Sequence, residues 1–406
     1  MSKKPLIITV SVTLALLVIV LISYYFLLQN KNSDPNSPVS IFKSFLPFGG
    51  GTASPQATST INKQPTTETP VVEYTQKLRK LSTEPVAGAG VVDFKAGTVV
   101  RYIEKATGHI FETELFSPLS HRISNTTIPV VYDALWGNGN SSLVVRYLKD
   151  DDVTVDTYAL TIKDLSTTTE SLVSAVTLPL NIKDVSVFGN NVFYLITGET
   201  SSLGFVSSMS GQNRKQIWSS PIKELLSQFV NVKTVALTTK PAQSIPGFLY
   251  LVDTGSGGVK RILGNISGLS TLVNGTATSV LYLEQGEGLS MSVFDVKTAS
   301  VSLITPTTFP EKCIWSKKDT AIVYCAVPRG NLSGSSLTSW YMGYSSYTDD
   351  IWKYDTKNNT SSIVDTLYED SSESIDVIKP ILSDNEQYLV FMNKRDNSLW
   401  SLDLTK

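Results

Sequence analysis

An all-β domain of repeated four-stranded units, closed into a ring, is the fold class this sequence predicts. Three observations lead there. From residue 76 onward short alternating apolar runs are separated by turn residues, the pattern of strands rather than helices. A strand–turn–strand unit then recurs along the chain. Finally, the two ends of the repeated region complement each other.

The unit reads Ala134-Leu135-Trp136-Gly137-Asn138-Gly139-Asn140, then Leu143 to Tyr147. It returns at Val187–Tyr194, at Cys313–Tyr324 and at Ile381–Phe391. In each copy a polar turn rich in Gly, Asn or Asp joins two apolar runs, as a β-hairpin requires. A third strand follows and often ends in an acid, as at Asp295, Asp355 and Asp403. A fourth closes the unit, as at His121–Ser124, Ser171–Ser174 and Ser302–Thr305. Roughly 330 residues over seven units gives about 47 per unit, the span of a four-stranded propeller blade. Blades are predicted to start near 90, 130, 183, 231, 267, 311 and 376. The fourth and fifth are the faintest, so six or eight blades are the alternatives. Ile222–Phe229 is the one stretch whose spacing could make a couple of helical turns.

Closure follows from the ends. The sequence stops at Lys406 just after a third strand, whereas residues 78–83 read as a strand with no blade before it. Pairing the two completes the last blade and hides a sheet edge.

Upstream of the ring, Leu6–Leu28 is an uncharged apolar run with Tyr24, Tyr25 and Phe26 at its far end. Its length matches a hydrocarbon core of about 30 Å. It lacks the short apolar region and small-residue cleavage site of a signal peptide. Residues 6–28 are therefore expected to be a transmembrane signal anchor. Lys3 and Lys4 put residues 1–5 in the cytoplasm, and everything after 29 outside the plasma membrane. Residues 29–75, rich in Pro, Ser, Thr and Gly, are expected to be a disordered linker interrupted by an apolar patch at 41–48. Residues 76–406 form the domain.

Composition narrows the function. Hydrophobic residues make up 41% and charged residues 17%, and 34 basic residues face 36 acidic ones. A net charge of -2 supplies no basic footprint for nucleic acid. Two cysteines, Cys313 and Cys325, and two histidines, His109 and His121, form no zinc-ligand spacing, and no cofactor motif occurs. The cysteines flank one hairpin symmetrically about Asp319 and could meet across adjacent strands as a disulfide.

Leu251–Gly257 carries Asp253-Thr254-Gly255, the pattern of an aspartic-protease loop. No second copy exists to share a proton, and a glycine turn between strands explains it better. Asp150-Asp151-Asp152 lacks the spaced ligands of a calcium loop and reads as a solvated hairpin tip. Asp133, Asp184, Glu311 and Asp376, with Asp93 as a further candidate, precede innermost strands and could ring one mouth of the channel. Between the second and third strands of the sixth unit, Val327–Tyr347 inserts Trp340, Tyr341, Tyr344 and Tyr347 among Gly and Ser. Such aromatics suit either a contact surface or a loop folded over its own blade.

Leu382-Ser383-Asp384 through Phe391 and Ser398–Asp403 resemble WD40-like and TolB-like propeller repeats, and the resemblance extends over about residues 76–406. Anchor, linker and propeller together resemble envelope propellers of small-genome bacteria. This implies a location, not an activity. The expected function is a tethered, extracytoplasmic module that binds a protein or polysaccharide of the envelope. The alternatives are an extracytoplasmic hydrolase or lyase with carboxylates at the channel mouth, or a sensory ectodomain with a partner in the same membrane.

Overall fold

The computed structural model describes residues 76–406 apart from 150, 152, 164–171, 334 and 335. The predicted anchor, linker and apolar patch lie outside them. Among the described residues no helix is long and apolar enough to cross a membrane.

Seven antiparallel four-stranded sheets follow one another along the chain. Their first strands are Val86–Phe94, Val131–Gly137, Ile182–Phe188, Leu225–Asn231, Ser270–Val273, Cys313–Trp315 and Val377–Leu382. These first strands neighbour one another around a common channel, the arrangement of a β-propeller. The last sheet takes its outer strand from the start of the domain: Leu78–Lys80 pairs with Leu399–Asp403 in the register Leu78↔Leu402, Arg79↔Ser401 and Lys80↔Trp400. The closing strand is three residues long rather than the six expected at 78–83. Leu81 and Ser82 extend the grip as single hydrogen bonds to the main chain of Leu399.

Each seam between neighbouring blades holds its own apolar cluster. Ala87, Ile103, Leu143 and Leu160 join blades 1 and 2, and Leu281, Met291, Trp315 and Val323 join blades 5 and 6. Leu81, Val100, Val390 and Leu399 join blade 7 back to blade 1, so the ring has no open seam. Phe193, Phe391 and Leu143 are wholly buried, each stabilising by roughly 1.5–3 kcal/mol. Burial fades outward: Gly97–Glu104, a second strand, is buried almost throughout, while the fourth strand Ser120–Arg122 is exposed at every position. That gradient explains why the outer strands carry Ser, Thr and Lys.

Near the axis the strands come too close for side chains. A Cβ on Gly88 would sit 2.1 Å from the carbonyl oxygen of Ala134, a backbone atom that cannot swing aside. Only glycine fits there.

The helical spacing at Ile222–Phe229 is misleading, because Leu225–Asn231 is the innermost strand of blade 4. Leu225 and Phe229 pack against Phe193, Val235 and Leu237. Val230 enters the next seam, and a strand with apolar residues on both faces loses strict alternation and can imitate a helical stripe.

Candidate functional site

Three fully buried charged side chains, Lys312, Asp349 and Asp376, meet beneath the blade-6 insertion. A turn of 3-10 helix, Pro310–Lys312, leads into the first strand of blade 6 and turns the Lys312 side chain fully inside. Its ammonium donates to Asp349 Oδ2 at 2.6 Å, to Asp376 Oδ1 and to the carbonyl of Val377 at 3.3 Å. Asp349 starts the third strand of blade 6, and Asp376 immediately precedes the first strand of blade 7. Asp349 Oδ2 also accepts from the Val377 amide at 2.7 Å, whereas its Oδ1 is buried without a partner. Burial pushes the Asp349 carboxyl up to about 6, against the pull of Lys312.

The insertion closes over this network. Its short helix α1, Ser336–Tyr341, directs the Trp340 indole N–H at both oxygens of Asp376, 3.0 and 3.1 Å away. The Trp340 ring packs on Phe309 at 5.3 Å between centroids and lies 5.1 Å from the ammonium of Lys312 and of Lys394. The Tyr347 amide donates to Asp376 Oδ2 at 3.1 Å, and its half-buried ring meets Phe309 edge-on. Trp340, expected to be one of an aromatic group at a loop, is 4% exposed and anchors the loop from within. What remains outside is Tyr341, Met342 and Tyr344, which are 41%, 63% and 83% exposed.

The carboxylates expected to ring the channel do not act as one group. Among the described residues, no three His, Cys, Asp or Glu side chains are placed to hold a metal ion. Each carboxylate is engaged separately. Asp184 of blade 3 accepts from the amide and hydroxyl of Ser227 on blade 4, both at 2.6 Å. Glu311 accepts from Ser270 of blade 5 at 2.6 Å and from the Tyr341 hydroxyl. Asp133 of blade 2 pairs with Lys379, which reaches across blade 1 from blade 7, and stands 4.0 Å from Arg146. Asp93 lies at the far end of its strand. There it accepts from Thr98 and from the Asn385 amide at 2.6 Å, tying the hairpin of blade 1 to that of blade 7. These carboxylates clasp neighbouring blades, because a buried charge is tolerated only where donors surround it.

Asp184 and Glu311 nevertheless share one cavity of about 270 Å³, walled also by Ser227, Gln228, Thr271 and Pro310. Burial raises both carboxyls above their ordinary range, opposed by Ser227 and by Ser270 with Tyr341 respectively. Burial, with the charge of Glu311 beside it, holds the Tyr341 phenol well above its usual value.

The remaining candidates have local roles. Asp253 Oδ1 accepts from the Ser256 amide and hydroxyl, closing its own turn. Asp295 and Asp355 do the same for the turns after their strands, which accounts for the acid that ends so many third strands. Asp151 caps its hairpin through Val153 and Thr154, while Asp150 and Asp152 lie outside the described residues. His109 meets Thr127 at 3.2 Å and His121 faces Glu112 at 3.5 Å, two separate surface contacts. Cys313 and Cys325 are register partners in blade 6, with their sulfurs 2.11 Å apart in a disulfide. Sequence reasoning missed Lys312 and Asp349 altogether. Neither residue type signals burial, and nothing local hints at the partner.

Seven closed four-stranded blades around a channel decide the architecture. The chain is a β-propeller. No protein-family model and no curated protein matches it. Solved structures do. YCF48 from Cyanidioschyzon merolae is 11% identical, with a TM-score of 0.50 over 81% of this chain and all of that one. The β-propeller domain of the Trilobed protease from Pyrococcus furiosus is 10% identical, TM-score 0.49, over 79% of this chain and 98% of that one. TolB from Acinetobacter baumannii is 13% identical, TM-score 0.40, over 78% of this chain and 63% of that one. At such identities the likeness concerns the fold alone.

Proposed function

We propose that this propeller is a recognition module, tethered to the plasma membrane by residues 6–28 and held outside the cytoplasm on the 29–75 linker. Its ligand is a protein or polysaccharide of the envelope, and it docks on the blade-6 insertion. One observation carries the reading. Trp340 and Tyr347 bind the insertion rigidly to the buried Lys312–Asp376 pair, so that Met342 and Tyr344 are presented to solvent on a fixed base, beside Tyr341, whose hydroxyl turns in to Glu311. Exposed aromatic and methionine side chains on a rigid support make large contacts at little entropic cost. The 17% charge content and Ser/Thr-rich outer strands suit an extracytoplasmic surface.

The test compares the full chain in detergent micelles with its Tyr344→Ala variant for binding to isolated envelope. Tyr344 is 83% exposed, so its removal leaves the fold intact, which an unchanged melting temperature verifies. Binding that drops tenfold or more in the variant supports the reading. Prior protease or glycosidase treatment of the envelope then tells a protein ligand from a glycan. Equal binding by both chains would remove the insertion from consideration.

A second reading rests on the cavity that Asp184 and Glu311 share, each carboxyl raised by burial. Carboxyls of raised pKa in one pocket are the equipment of general acid–base chemistry, as in a hydrolase or lyase. Glycan turnover that vanishes in Glu311→Gln would favour this reading over pure recognition.

A further inference from the structure

The outer part of the seam between blades 2 and 3 holds a cleft of about 300 Å³. Thr177 and Pro179, where the chain leaves blade 2, form one wall, and Tyr194, Ser207, Gly211 and Arg214 of blade 3 form the other. The volume falls at the lower end of the range for small-molecule sites. The turn between the third and fourth strands of blade 3 shapes it. Gly211 in that turn has a φ of +74°, and a Cβ there would stand 3.2 Å from Val176 Cγ1. Glycine thus lets the turn close against the last strand of blade 2, Leu172–Thr177.

Arg214 directly precedes the fourth strand, Lys215–Ser220, and its side chain is exposed. Its guanidinium lies over the Phe205 ring, 4.0 Å from the centroid, and 6.0 Å from that of Tyr194. Phe205 in turn stacks on Tyr194 at 5.7 Å. A guanidinium laid on an aromatic face is held in place while the N–H groups at its edge stay free to fork onto an acceptor. Among the described residues no carboxylate pairs with it. Burial raises the Tyr194 phenol, and the only charge acting on it is that of Arg214, which pulls the other way. The neighbouring Lys215 turns away to the carbonyl of Gly255 on blade 4.

The cleft therefore offers one positive charge, already oriented and not yet neutralised. A planar fork of donors matches a planar carboxylate, and a single cation balances a single negative charge. The rest of the lining sets the carrier of that charge. Thr177 is exposed and brings a hydroxyl to the rim, while Pro179 gives a flat apolar wall. We propose that this cleft binds a sugar acid, its carboxylate forked by Arg214, its ring against Pro179 and a ring hydroxyl bonded to Thr177. The site shares no residue with the blade-6 insertion, so it stands or falls separately from the ligand proposed there.

The full chain in detergent micelles, labelled with 15N-arginine, supplies the readout. The Nε–H line absent from Arg214→Gln identifies Arg214, whose exposure lets that variant fold. Glucuronate is titrated at about 0.15 M salt, with glucose as the uncharged control and dimethyl phosphate as a singly charged phosphate. A saturable shift of the Arg214 line at about millimolar glucuronate is expected, with both controls about tenfold weaker or worse. Thr177→Val should weaken glucuronate binding about fivefold on the same line. Arg214→Lys keeps the charge but loses the fork, and should weaken it about tenfold, read by saturation transfer to the glucuronate protons. An Arg214 line unmoved by glucuronate would show a merely solvated arginine and overturn the proposal. Equal binding of glucose, or undiminished binding by Arg214→Lys, would overturn it too. Tighter binding of dimethyl phosphate would make this a phosphate site and sink the assignment to a carboxylate.

Discussion

The ammonium of Lys312 and a carboxylate oxygen of Asp349 lie 2.6 Å apart with neither side chain exposed to solvent. Asp376 completes the group, so two carboxylates share one buried cation at the seam of blades 6 and 7. Removing the cation leaves two uncompensated charges in a low-dielectric site. Lys312→Met should therefore destabilise the domain by about 3–5 kcal/mol, read from urea unfolding. Adding Asp349→Asn and Asp376→Asn to Lys312→Met should recover a good part of that loss. Without recovery, the cost would come from packing rather than from charge.

The same site fixes the sign of a pH effect. Burial raises the Asp349 carboxyl from 3.8 to about 6, so between these values the folded protein keeps a proton that the unfolded chain has released. Stability from this group is fully present below the lower value and declines as pH rises to the upper one. The turn-capping Asp253, Asp295 and Asp355 act oppositely. Backbone hydrogen bonds lower their carboxyls, so their contribution is present at neutral pH and fades as pH falls below the ordinary carboxylate value. Subtracting the urea midpoints of Asp349→Asn from those of the wild type cancels the turns. The difference should fall between about pH 4 and pH 6 and stay flat above. A flat difference throughout would show that Asp349 remains ionised across the window.

What the sequence discloses here depends on how local the physics is. The hairpins at Trp136, Phe188, Trp315 and Leu382 were legible because tight turns need Gly, Asn or Asp between apolar runs. Ring closure was legible because a lone strand at Leu78 matched a missing one after Leu399. Blade 4 was obscure because its innermost strand puts Leu225 and Phe229 into one seam and Val230 into the next, so its apolar residues do not alternate strictly. The aromatic insertion could be located, but not which ring turns inward. Trp340 is drawn in by Asp376, 36 residues away in sequence. Lys312 was invisible for the same reason, since its carboxylates lie 37 and 64 residues downstream. A lysine after Pro310 and Glu311 looks like surface until those partners are known.

The disulfide gives a test of location as well as of stability. Cys313 and Cys325 are 12 residues apart and bridge two adjacent strands of blade 6. Closing a loop of that size stabilises by about 3 kcal/mol in the chain-entropy view, so the paired Cys313→Ala/Cys325→Ala variant should lose about 2–3 kcal/mol in denaturant unfolding. Protein taken from cells under thiol-trapping conditions should carry no trapped thiols unless first reduced, as expected of an oxidising compartment. Two trapped thiols without reductant would place the domain in the cytoplasm and contradict the proposed topology.

Ring closure rests on few residues, so it can be opened deliberately. Leu78 and Leu81 are 8% and 7% exposed, and Lys77 bonds to Asp365 at 3.1 Å, so the segment is gripped by both blade 7 and blade 6. Replacing residues 76–82 by a Gly/Ser stretch of equal length keeps the tether but removes both leucines and the outer strand. Two buried leucines at roughly 1.5–3 kcal/mol each imply a loss of about 3–6 kcal/mol. The uncovered edge of Leu399–Asp403 would also become a template for other strands, so the variant should self-associate with rising concentration in sedimentation velocity. Leu78→Ala, which empties the seam but leaves the main chain paired, should be destabilised without associating. If the Gly/Ser variant remained monomeric and equally stable, the seam of Val100, Val390 and Leu399 would be sufficient to close the ring, and the added strand would serve only to cover an edge.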